Sequence, residues 1–209
     1  MNSISHVPME QRGFRQRQRG FSLIVVLLIL VIVSILGVGG VQLAMMGERG
    51  TRNDRDMQVA WQAAEAALMD AEFDIEGLPA TSSSKRNSIF ASGNTDIAKF
   101  LANCGTSAQS VGLCALNAGD AKPAWLTVDF TATGNAAPTA EFGAFTGRPF
   151  ASGSQGVQPA RPPRYVIEPI PDPLTSRTKA QNRYVYRVTA MGFGPSQETQ
   201  AVVQIIYRN

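Results

Sequence analysis

The chain has 209 residues, a net charge of +3 and two cysteines. That length accommodates one domain plus a membrane element. The charge is not spread out: Arg12, Arg15, Arg17 and Arg19 against Glu10 account for all of it, and the charges after Gly20 cancel. A body without net positive charge has little grip on phosphates, so nucleic acid is excluded as a partner.

The sole histidine, His6, lies in the same first twenty residues. A product that loses them has no Ser-His-Asp triad, no Cys-His pair and no histidine-based metal site. No phosphate-binding glycine loop, G-x-S-x-G elbow or calcium-loop spacing occurs further on. The sequence shows no enzyme and implies no cofactor or metal.

In chain order, the first element is "FSLIVVLLILVIVSILGVGGVQLAMMG", residues 21–47, which contains no charge; Glu48 is the first. As a helix it would span roughly 40 Å, against a hydrocarbon core of about 30 Å. A secretory h-region is about half that length, although "GVGG" (37–40) could imitate a cleavage site. The stronger reading is a transmembrane helix, with the preceding arginines holding the N-terminus in the cytoplasm. Gly37, Gly39, Gly40, Gly47 and Gly50 weaken its second half, which suits either close packing in lipid or local stretching.

The helical pattern continues as an amphipathic stem, residues 48–77. Met57, Ala60, Trp61, Ala64, Ala67, Leu68, Ala71 and Ile75 form the stripe expected to face a sheet. Glu65, Asp70, Glu72 and Glu76 fall off that stripe, and Gly77 with Pro79 supplies the stop. The stem carries a net −5 and the head, residues 78–209, a net +5. This split is either ordinary surface charge or a sign of contacts between head and stem or between subunits.

The head opens with a polar stretch (81–88) and a short helix expected to end near Asn103. Cys104 and Cys114, beyond a membrane helix with cytoplasmic arginines, read as a periplasmic disulfide. Four segments read as strands: 125–130, 164–170, 183–193 and 199–208, the last two as an antiparallel hairpin. Tyr184, Tyr186 and Val188 would face one side, with Val185, Arg187 and Thr189 facing the other. Between strands, residues 131–163 form a long Gly/Ala/Pro-rich loop that Phe142, Phe145 and Phe150 could tack down. It reads either as a partner-binding loop or as a plain insertion.

Taken together, "RQRGFSLIVVLL", the stem 47–72 and the closing "YVYRVTAMGFG…TQAVVQIIYR" resemble the PilX-type minor pilins of type IV pili. The resemblance implies an α+β pilin fold, in which a long N-terminal helix packs on an antiparallel sheet head with one disulfide. It also implies a leader of residues 1–20, cut by prepilin peptidase after Gly20, with Phe21 becoming the methylated N-terminus. The implied partners are the major pilin, other minor pilins, prepilin peptidase and the assembly platform. A tip adhesin and, before assembly, inner-membrane lipid join them. The implied processes are pilus assembly, twitching motility and cell adhesion, and the implied location is the inner membrane first, the extracellular filament after.

One departure from the family pattern is informative. Most pilins place a glutamate at the fifth mature position, where it is thought to meet the N-terminal amine of a neighbouring subunit; here that position is Val25. Its absence suits a subunit at or near the filament tip that takes part in initiating assembly. Two other readings compete: a tip-type minor pseudopilin of type II secretion, and a solitary membrane-anchored binding domain that keeps its leader.

Overall fold

The computed structural model describes residues 21–116, 122–153, 156–173 and 183–209. The first element is a single α-helix, α1 (Phe21–Glu76). The chain divides into two compact units within it, one ending at Arg49 and one running Gly50–Asn209.

In the second unit, α1 ends where the sequence says it should. Gly77 takes a left-handed backbone, φ +75°, which a residue with a Cβ adopts only at a cost. Its amide and that of Leu78 then close back onto Asp74 and Phe73 carbonyls. Two short 3-10 turns follow, Asn87–Phe90 and Ile97–Lys99, in place of the helix expected to end near Asn103.

The sheet has four antiparallel strands in sequential order: β1 (Ala140–Glu141), β2 (Arg164–Pro171), β3 (Tyr184–Phe193) and β4 (Gln200–Tyr207). The β3–β4 hairpin pairs Gly192 with Ala201 and Tyr186 with Tyr207. β2 pairs with β3 so that Tyr165 meets Ala190 and Ile167 meets Val188. Alternation therefore places Tyr165, Ile167, Tyr186, Val188, Ala190 and Val203 on one face. That face receives Ala64, Ala67, Leu68, Ala71 and Ile75 of α1.

The other face carries a smaller cluster in which Val166 meets Cys104, Cys114, Ala124 and Phe130. This corrects the expected strand at 125–130. The segment contains one helical turn, α2 (Ala124–Thr127), begun by Pro123. Its β-like composition reflects a different use: Trp125, Val128 and Phe130 pack onto the back of the sheet. The long loop holds β1 and is fastened as its phenylalanines suggest. Phe142 and Phe150 lie 4.9 Å apart, Phe145 joins the main core, and the Arg161 guanidinium lies 3.8 Å from the Phe193 ring.

Candidate functional site

Two regions of the chain bear on function: the apolar start of α1 and the surface by which its stem is held. The first described residue, Phe21, begins α1; Gly20 and the leader lie outside the described residues. Val25 is one turn in and 42 % exposed. The helix contains a stretch with mean hydropathy 3.1, none of it buried, long and apolar enough to cross a membrane. In water such a surface would cost roughly 25 cal/mol for each Å² of apolar area, so it requires lipid or other helices around it.

The stem residues from Gly50 onward show how the sheet grips a helix. Alanines give the closest approach, and at one point the sheet gives up its side chain altogether. A Cβ built on Gly192 would lie 2.9 Å from the Ala63 carbonyl carbon and closer still to Ala60 O and Ala64 N. β3 and the helix backbone are therefore in direct contact there.

The buried face of the stem overlaps most of the apolar stripe, Ala60, Ala64, Ala67, Leu68, Ala71 and Ile75, but is shifted to one side of it. Met57 and Trp61, both on the stripe, are 43 % and 50 % exposed, whereas Ala63, Asp70 and Asp74 are buried. The helix is turned by roughly 40°, at 100° per residue, relative to its most apolar direction. The reason lies in what the head offers the two acids.

Asp70 receives the Gly143 amide at 2.8 Å, the Thr146 hydroxyl at 2.6 Å and, at 3.5 Å, Arg148 Nη1. Burial pushes its carboxyl above the ordinary aspartate value, against the opposing pull of Thr146, Gly143 and Arg148. Asp74 is paired with Arg86, both side chains fully shielded, with Nη2 2.6 Å from Oδ2. Arg86 Nε also donates to Asp74, and its Nη1 donates to the Gln109 and Val111 carbonyls at 2.8 and 2.6 Å. The guanidinium lies 3.5 Å from the centre of the Phe145 ring, and the Tyr165 hydroxyl donates to Asp74 at 2.9 Å. Burial, then the neighbouring Asp74, raises the Tyr165 phenol well above its usual range.

The charge split between stem and head thus has a physical counterpart: acids of the stem meet arginines of the head inside the fold. Removing one partner of such a shielded pair costs about 3–5 kcal/mol, because the other charge is left dry and unpaired. The cysteines close a disulfide between Cys104 and Cys114, as the sequence predicted. Among the described residues, no group of three or more His, Cys, Asp or Glu is placed to hold a metal.

This architecture, a long helix that begins apolar and whose amphipathic stem is laid on an antiparallel sheet with a disulfide-closed loop behind it, is pilin-like. Comparison with protein families decides which pilin. The model for the PilX N-terminal region matches residues 19–68, and that for the C-terminal part of the type IV pilus assembly protein PilX matches residues 50–209.

The chain belongs to the PilX family.

It is therefore a minor pilin of the type IV pilus, in a family of structural pilus components. No curated protein and no solved structure matches it. The N-terminal match covers both Gly20 and Val25. As a PilX-family chain it has an apolar helix suited to membrane anchoring and a head suited to a filament.

Sequence reasoning missed Asp70, Asp74, Arg86, Arg148 and Gly192. For the two aspartates a signal was present: they are four residues apart, and Ala67 lies three residues before the first and seven before the second, so all three share one face.

Proposed function

We propose that this subunit occupies the tip end of the pilus and takes part in starting its assembly. The observation that supports this is Val25. A carboxylate inside a bilayer costs up to about 3 kcal/mol at its centre without a partner. A pilin with a neighbour ahead of it offsets that cost through the neighbour's N-terminal amine. A pilin with none gains by having valine there.

In this reading residues 1–20 are the leader, 21–47 the membrane span, 48–77 the stem and 78–209 the head. Prepilin peptidase cuts after Gly20 and Phe21 is methylated. The subunit waits in the inner membrane with its N-terminus cytoplasmic, and the assembly platform passes it to the filament beside major and minor pilins. A tip adhesin is then a natural neighbour.

Immunogold labelling of sheared pili tests the location. Label confined to filament ends supports the proposal, and label along the shaft overturns it. Mass spectrometry tests the processing: a mature chain starting at methylated Phe21 is expected, while a retained Met1 or a start after residue 39 or 40 overturns it. Deletion of the gene should abolish surface piliation and leave type II secretion intact, because family membership favours the pilus over the secretion reading.

A further inference from the structure

The Arg86 clamp depends on a loop that has little structure of its own. Residues 104–114 contain a three-residue 3-10 turn (Ala108–Ser110) and one internal bridge, Gly105 to Val111. Cys104 and Ala108 both hold left-handed backbones, φ 58° and 47°, which non-glycine residues keep only when their surroundings enforce them. The loop's ends are held by the Cys104–Cys114 bond, by the Leu101–Cys114 bridge, in which the Ala115 amide donates to the Leu101 carbonyl, and by the Leu113–Ile167 bridge, in which the Cys114 amide donates to the Ile167 carbonyl. From inside this loop come the two carbonyls, Gln109 and Val111, that accept from Arg86 Nη1.

We propose that the disulfide is a latch for the stem: by fixing those two carbonyls it orients Arg86, and Arg86 in that orientation holds Asp74 at the end of the helix. The guanidinium is fully buried, and its Nε, Nη1 and Nη2 are all engaged, Nε and Nη2 on Asp74 and Nη1 on the two carbonyls. When the loop relaxes, Nη1 loses both acceptors in a place where water cannot replace them. The arginine then regains its hydrogen bonds only by moving toward solvent, which leaves Asp74 with Tyr165 alone. Docking of the last turn of the stem is in this way conditional on the redox state of a bond on the far face of the sheet.

The chemistry is ordinary exchange. To close the latch, the two thiols give up two protons and two electrons to a donor disulfide, which becomes two thiols as the Cys104–Cys114 bond forms. A dithiol in excess runs the same step backward and is itself left as a disulfide.

Hydrogen exchange on the full chain in detergent micelles, with and without dithiothreitol, tests the idea. Reduction should raise exchange about tenfold or more in residues 72–76 as well as in 101–116, while residues 60–67, held against Gly192, stay unchanged. A rise confined to 101–116, or one that extends through 60–67, overturns it.

With the head still folded after reduction, the coupling is also read from the other end, because it is reciprocal. Asp74→Asn weakens the clamp, so the dithiothreitol concentration that half-reduces the disulfide should fall, by about tenfold for a coupling of ordinary size. Asp70→Asn loosens the stem through Gly143, Thr146 and Arg148, none of them in the loop, and should leave that concentration unchanged. No shift in Asp74→Asn, or an equal shift in both variants, overturns the latch.

Discussion

Replacing Gly192 by alanine adds a single methyl group, and the structure indicates a cost out of proportion to its size. The new Cβ would meet Ala60 O and Ala64 N inside any separation real atoms hold, and Ala63 C at 2.9 Å. All three are backbone atoms of the stem helix, so no side chain can swing away. Carbon contacts are comfortable at about 3.5–4.0 Å, so helix and sheet must part by about 1 Å. Neighbouring layers in which alanine faces alanine or valine then open as well. Overpacking of this kind costs about 1–3 kcal/mol. For a unit of this size each kcal/mol lowers Tm by about 2–4 °C, so the variant should melt roughly 2–12 °C below the parent. Thermal unfolding followed by near-ultraviolet circular dichroism in detergent measures this. A melting temperature within 1 °C of the parent would refute the claim that β3 and the helix backbone touch.

Further outcomes follow from the charged and bonded groups. Replacing both cysteines by serine releases a loop closed over a sequence separation of 10 and should cost about 2–3 kcal/mol in a urea titration. Asp70 has a folded pKa raised above 3.8, so the folded state binds the extra proton first. Its contribution is therefore fully present below pH 3.8 and is lost as pH rises from there through the raised value. Asp70→Asn should remove that component from a stability–pH profile. The Tyr207 phenol, bonded at 2.5 Å to Glu76, is pushed up to about 12, chiefly by that bond. Its contribution is present below pH 10 and is lost as pH rises from 10 through 12, and in a 295 nm absorbance titration Tyr207→Phe should delete the latest-titrating phenol on this exposed edge.

The elements set by local chemistry were legible in the sequence. Gly77 and Pro79 ended the helix, the three long strands carried β-branched and aromatic residues, and the alternation in β3 assigned both faces correctly. The errors came where distant partners overrode a local pattern. Asp70 and Asp74 look like solvated acids until Arg148 and Arg86 arrive from 78 and 12 residues away. Trp61 looks like core, yet it lies outside and donates to Glu65 at 2.7 Å. In residues 125–130 composition reported burial correctly and conformation wrongly, since packing on a sheet selects the same residues as being part of one. Val25 could be read as a clue only beside a family pattern, because one valine among many carries no signal of its own.

The Arg86 guanidinium also bears on how the head acquires its structure. Its partners stand 12 residues before it and 23 and 25 after it, and the tyrosine sharing its aspartate lies 91 residues beyond that aspartate. Each of those chain closures costs entropy before any contact compensates it, and a guanidinium with half its partners is better left in water. The charge therefore enters only when the last segment does. In the oxidised chain this makes the end of the stem part of the last cooperative step in folding, and a subunit that has docked its stem is one whose sheet, loop and disulfide are already complete.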